Sequence, residues 1–254
     1  MRRNEDPRLL RGFGSYVDDI DPPGVLHAAI LRSPYGHARI VAIDTAAARA
    51  CPGVRAVYTA ADLGEFNQPA PLVVPHPSLT HGRTQRPLAV DKVCFIGETV
   101  AMVVAEDRYI AEDAAALIEV EWQALPAIVD FRIADHADQP AVHDDVPRNV
   151  AAHLVQVVGD PDRAFREAAH VFEEHLLVER SCGSPIEARG VVAVYDPLQE
   201  SLVVWDATQA PLTIKNGLAN MLGLPEFKVE VIAPDVGGGF GTKIMLFFAE
   251  EVLV

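Results

Sequence analysis

The chain has 254 residues, half of them apolar and 22% charged, a composition that buries a core and excludes a disordered polypeptide. Its 36 acidic against 21 basic side chains give a formal charge of -15, which on average repels nucleic acid and anionic membrane surfaces. No apolar run reaches the roughly 18 residues of a membrane helix, and Met1-Arg2-Arg3 leads into Asn4-Glu5-Asp6-Pro7 rather than an apolar signal core. Cys51, Cys94 and Cys182 lie far apart with no CxxC or Cys/His pairing, so the expectation is no zinc site, no iron–sulfur cluster and a reducing compartment, the cytoplasm.

Residues 25–130 alternate short strands and helices, beginning with apolar-rich runs at Leu26 to Leu31 and Arg39 to Ile43. Asp107 is placed to cap a helix built from good helix formers through Leu117. The next run, Ile118 to Trp122, alternates apolar and acidic residues and predicts a strand with one wet face. A polar segment from Asp130 to Asn149, with Pro140 and Pro147, predicts a surface linker and a domain boundary. Asp160 with Pro161 then opens a short helix running through Ala169. Two β-rich runs, Gly190 to Tyr195 and Ser201 to Trp205, are joined by the turn Asp196 to Glu200 and predict a hairpin. Ile214, Leu218, Met221 and Leu222 recur at helical spacing, with Gly223 where a left-handed cap belongs. Phe227, Val229 and Val231 alternate with polar residues as one more strand, which leads into a glycine loop. An apolar helix is expected from Ile244 to Val254, and its uncapped end predicts more chain beyond Val254. The whole is of the α+β class.

Gly237-Gly238-Gly239-Phe240-Gly241 is the sharpest feature, because glycine tolerates positive φ and lets main-chain N–H groups approach a ligand. Between a strand and a helix such a loop suits anions, yet it is neither GxGxxG nor a phosphate-binding GxxxxGKS motif. Pattern alone supports a tight turn and a ligand cradle equally. Gln209 follows a strand and precedes a helix, where a carboxamide can point into a cleft; the plain alternative has Thr208 or Asp206 capping the helix and Gln209 facing solvent. In Ser184 to Gly190, Glu187 and Arg189 suggest an ion pair pinning the strand entry. No nucleophile elbow or zinc-protease histidine pair occurs, so no catalytic residue and no metal ligand is assigned.

Taken in order, these segments resemble the large subunits of the xanthine dehydrogenase, aldehyde oxidase and carbon monoxide dehydrogenase family. Gly12 to Ile20, Leu26 to Ile40, Pro87 to Asp91, Ile96 to Ala101, Ala111 to Ala115 and Leu125-Pro126 look like its α/β hammerhead domain. Glu187, Thr208-Gln209 and Gly237 to Gly241 look like the start of its molybdopterin-binding domain. The resemblance implies a hammerhead domain over 1–130, a linker over 131–158 and the start of a molybdopterin domain over 159–254. It also implies a molybdenum–molybdopterin cofactor contacted by Gln209, Gly239, Phe240 and Gly241, with Gln209 donating to an oxo ligand. The reaction implied is hydroxylation of an aldehyde, heterocycle or small carbon substrate with oxygen from water. Electrons would leave through 2Fe-2S and FAD centres on small and medium partner subunits of a hetero-oligomer. Two departures stand out: Ala188 replaces the proline of the usual Glu-Pro-Arg-Gly, and Ile244 stands where xanthine dehydrogenases carry a purine-binding glutamate. The remaining cofactor contacts and the base would lie on chain beyond residue 254, which makes this a fragment inactive alone. The rival readings are a non-catalytic assembly module for the flavin and iron–sulfur subunits, or a nucleotide-binding enzyme using the glycine loop.

Overall fold

The computed structural model describes residues 3–72, 75–178, 181–244 and 250–254. Among the described residues, nine strands form three three-stranded sheets. In the first, β5 (Thr99–Ala105) lies between β1 (His27–Arg32) and β3 (Val54–Thr59), antiparallel to both. Its sequence TVAMVVA is almost wholly apolar because both faces are covered. Ala101 and Val103 face a cluster with Val57, Ala114 and Ile118, whereas Val100 packs with Ala38, Ala89 and Val93, and Met102 with Leu88 and Leu253. Among the short helices α1 (Asp6–Leu9), α2 (Ala46–Arg49), α3 (Ala60–Leu63) and the longer α4 (Arg108–Ala115), α4 buries Ala111, Ala114 and Ala115, small enough for it to approach the sheet closely. Asp107 caps α4 as expected, accepting from the Tyr109 N–H at 2.8 Å.

The second sheet has the order β4 (Lys92–Val93), β2 (Ala38–Asp44), β6 (Glu119–Ala124). Glu119 and Glu121 of β6 are exposed and Val120 and Trp122 half-buried, the wet face that the alternation predicts. Residues 131–149 form turns over this region, held by the Asn149 carboxamide, which donates to Ala134 O at 2.8 Å and Pro140 O at 3.1 Å. The helix expected from Pro161 is present as α5 (Pro161–Glu167), with Asp160 accepting from the Arg163 N–H at 2.9 Å.

The third sheet carries the loops of interest. β7 (Val191–Asp196) and β8 (Ser201–Asp206) form the expected hairpin, α6 (Pro211–Leu222) follows, and β9 (Val229–Ile232) returns parallel to β8. Leu202 and Val204 of β8 pack with Ile214, Leu218, Met221 and Val229. Gly223 ends α6 in the left-handed conformation, φ 67 and ψ 22. One boundary differs from the sequence reading: Glu226–Lys228 is a 3-10 turn closed by Lys228 N–H donating to Pro225 O at 2.8 Å, so Phe227 is exposed and the strand starts at Val229. Of the helix expected over 244–254, residues 245–249 lie outside the described residues, and Glu250–Leu253 is helical as α7. Among the described residues, no helix is long and apolar enough to cross a membrane.

Candidate functional site: a carboxamide against a glycine loop

β8 alternates inward and outward, so after Leu202 and Val204 its third inward position is Asp206, only 3% exposed. The chain then turns through Thr208 and Gln209 before Pro211 starts α6. Neither Thr208 nor Asp206 makes a side-chain cap to the first turn of that helix. Thr208 is buried; its hydroxyl donates to Lys243 O at 3.0 Å and accepts from the Ala210 N–H at 3.0 Å. The Gln209 N–H donates to the same Lys243 carbonyl at 2.6 Å.

From the other side, β9 leads into the glycine loop, where Gly238, Phe240 and Gly241 adopt φ 100, 49 and 90. Gly239 sits directly against Gln209. A Cβ there would lie 2.3 Å from Oε1 and 2.4 Å from Cδ of Gln209, so the approach is possible only without a side chain. The Gly241 N–H donates to Gln209 Oε1 at 3.2 Å. That bond engages the amide oxygen and leaves its NH2 able to donate elsewhere. Gln209, Gly239, Phe240 and Gly241 therefore converge on one edge, with the Phe240 ring 75% exposed beside them. Gln209 is solvent-exposed, as the plain alternative has it, and in addition makes this contact with the loop.

Behind the edge lies a buried charged cluster that the sequence reading does not anticipate. Glu187 does not pair with Arg189. Its Oε2 accepts from Lys243 Nζ at 2.8 Å and from the Gly237 N–H at 2.7 Å, while Arg189 reaches Glu250 at 2.7 Å. The chain bends at 186–187 just before β7, and each side chain finds a partner more than fifty residues away, Glu187 at Lys243 and Arg189 at Glu250. Burial pushes the Asp206 carboxyl up to about 7, against the opposing charges of Lys243 and Arg189. Burial, with Asp206 and Glu250 close by, pushes Glu251 up to about 8. For Glu250 burial acts upward too, but the hydrogen bond and charge of Arg189, helped by Arg32, outweigh it and hold the group below its ordinary value. The signal for Asp206 was available in the period-two burial of β8; the pairing of Lys243 with Glu187 has no local signature.

A second polar spot lies in the hammerhead region, where Cys94 Sγ is 3.8 Å from His143 Nδ1. Burial raises the thiol to about 11, which keeps it protonated and unreactive. Among the described residues no group of three His, Cys, Asp or Glu side chains is placed to hold a metal ion.

Comparison with known proteins fits this geometry. Residues 11–126 match a family model described as the aldehyde oxidase and xanthine dehydrogenase a/b hammerhead domain, and residues 142–254 match the molybdopterin cofactor-binding domain. The carbon monoxide dehydrogenase large chain of Afipia carboxidovorans is 40% identical over 96% of this chain and 31% of its own length. The nicotine 6-hydroxylase large subunit of Paenarthrobacter nicotinovorans is 40% identical over 99% and 30% respectively. The crystal structure of quinoline 2-oxidoreductase from Pseudomonas putida 86 superposes with a TM-score of 0.89 at 40% identity, covering 100% of this chain and 32% of the other. The chain thus spans about a third of the length of the relatives it matches. With both family models matched in order over the two regions, the chain belongs to the aldehyde oxidase and xanthine dehydrogenase family, and carries its α/β hammerhead domain followed by a molybdopterin cofactor-binding domain.

Proposed function

We propose that this chain is the molybdopterin-facing N-terminal part of a molybdenum hydroxylase large subunit that oxidises an aldehyde, a heterocycle or a small carbon substrate with oxygen from water. The observation that carries the reading is the contact of Gln209 with the glycine loop: Oε1 is held by the Gly241 N–H at 3.2 Å, which leaves the amide NH2 as an aimed donor. The cradle fits the group. Gly239 is closed by Gln209, whereas a Cβ at Gly241 would meet nothing within 4 Å, so the main chain there is open toward a ligand. Gln209 would donate to an oxo oxygen of the cofactor, with Gly239, Phe240 and Gly241 flanking it. When bound, the molybdenum–pterin group supplies oxygen transfer from water and two-electron oxidation. The contribution of these residues is a donor fixed before the reaction, which stabilises charge without reorganising.

Ile244, next to Lys243, offers no carboxylate to a purine, which favours aldehydes, other heterocycles or small carbon substrates. Cys51, Cys94 and Cys182 are separate free thiols, which supports a cytoplasmic enzyme whose 2Fe-2S and FAD centres sit on small and medium partner subunits. We also propose a hammerhead domain over 1–130, a linker over 131–158 and the start of the molybdopterin domain over 159–254.

Replacing Gln209 by Ala in the assembled enzyme should lower kcat/KM by the equivalent of about 1 to 3 kcal/mol, the scale for losing a donor to a charged acceptor. Unchanged turnover defeats the assignment. One observation favours the second reading, an assembly module: Val155, Val157, Phe172, Leu176 and Leu177 are all more than 60% exposed, an apolar stretch that suits a partner surface. Purified protein that binds flavin and iron–sulfur subunits but carries no molybdenum or pterin would select that reading.

A further inference from the structure

The Lys243 side chain is 0% exposed, and its charge lies beneath the loop rather than in it. Burying an ammonium group is costly, and a methionine of similar length would fill the same space without that cost. The position of Lys243 gives the charge a use. Its ammonium donates to Glu187 Oε2 at 2.8 Å, and that oxygen also accepts from the Gly237 N–H at 2.7 Å. Its carbonyl accepts from the Gln209 N–H at 2.6 Å and the Thr208 hydroxyl at 3.0 Å. One residue therefore joins three segments distant in sequence: the strand entry at 187, the turn at 208–209 and the start of the glycine loop at 237.

We propose that Lys243 is a positioning residue, a buried tie that sets the spacing between the Gln209 carboxamide and the glycine loop. Its side chain fixes one end of the loop through Glu187 and its main chain fixes the turn that carries Gln209, so the gap between donor and loop is defined by a single residue. Glu187 is the other half of the tie: a Cβ on Gly237 would lie 2.5 Å from Glu187 Cβ, so the loop is seated on this side chain sterically as well as by its hydrogen bond. The consequence for cofactor binding rests on the molybdopterin reading; the tie itself does not.

The test is residue-resolved amide exchange by NMR in this chain. Lys243→Met should speed exchange at Gly237 and Gln209 by about tenfold while the amides of β5 keep their rates, because only local opening is eased. Lys243→Arg, which keeps the charge and its donors, should restore most of the protection. If the Met variant exchanges like the parent, or if Met and Arg behave alike, Lys243 is filler and the proposal falls. Should the Met variant not fold, Glu187→Gln is read instead: faster exchange at Gly237 supports the tie, and an unchanged rate overturns it. Pterin retained per large subunit in the assembled enzyme is measured alongside. Loss of pterin in both Lys243→Met and Gln209→Ala upholds the tie and the cofactor site together. Faster exchange with pterin unchanged in both variants leaves the tie standing and removes the cofactor reading.

Discussion

In β5 both faces of a seven-residue strand are filled with apolar side chains, whereas β8 buries Leu202 and Val204 and then, at the next inward position, a carboxyl group. The hammerhead region gains stability wherever it excludes water, since each buried apolar group contributes. The region around the glycine loop excludes water from Asp206, Glu251 and Lys243 as well, and every such group costs free energy unless a partner offsets it. Four carboxylates, Glu187, Asp206, Glu250 and Glu251, each keep one buried oxygen without a hydrogen-bond partner among the described residues. The contrast separates the two regions: the first gains stability from each group it buries, and the second accepts a cost at the end of a strand, where Asp206, Glu251 and Lys243 lie buried behind the glycine loop.

The strongest way to break this contrast is to damage the apolar side. Ile118 is 7% exposed and packs with Val57, Ala101, Val103 and Ala115. Ile118→Ala should cost about 2 to 5 kcal/mol in urea unfolding, the range for a buried aliphatic truncation. The Gly237 and Gln209 amides should keep their exchange rates under native conditions. If they lose protection in step with β5, the two regions open as one unit and the division drawn here is wrong.

The buried acids sharpen the comparison through pH. Asp206 and Glu251 hold their protons in the folded chain up to about pH 7 and 8, but release them near pH 4 when unfolded. Between those values the folded state binds more protons than the unfolded one, so stability falls as pH rises. The unfolding free energy should decline by on the order of a few kcal/mol between pH 5 and 8. Asp206→Asn, neutral at every pH, should flatten part of that decline and stand relatively better at pH 8 than at pH 5. Denaturant titrations across this range decide it, and an undiminished slope in the variant would place the titration elsewhere.

Much of the framework was legible because its causes are local. The Asp107 cap of α4, the Asp160 cap of α5, the hairpin turn after Asp196 and the left-handed Gly223 each depend on residues within a turn of one another. Gln209 and Gly239 to Gly241 were offered by the sequence as two separate motifs, and the fold brings them together; what the sequence lacks is the bond that joins them, from Gly241 to Gln209 across 32 residues. Where local pattern failed, a longer-range constraint had acted. Phe227 alternates like a strand residue, yet the turn closed on Pro225 takes it out of the ladder. Glu187 and Arg189 look like mutual partners, but the chain bends at 186–187 and each pairs with a distant residue instead, Lys243 and Glu250. Ion-pair choice across a fold is set by packing, which no single window encodes.

Two glycines of the loop make the smallest and most discriminating pair of tests. Gly237→Ala would drive a methyl group to within 2.5 Å of Glu187 Cβ, an atom fixed by its own main chain, so backbone must move. Overpacking of this kind should cost about 1 to 3 kcal/mol of stability. Gly239→Ala meets a different neighbour: the atoms at 2.3 to 2.7 Å are Oε1, Cδ and Cγ of Gln209, the mobile end of an exposed side chain. That side chain can swing aside, so the stability loss should stay below about 1 kcal/mol while the carboxamide leaves the Gly241 N–H. In the assembled enzyme Gly239→Ala should therefore reproduce most of the activity defect of Gln209→Ala with little change in Tm. Equal thermal losses for the two glycine variants would mean that the loop yields as one body, and the carboxamide would then not be the part that its neighbours hold in place.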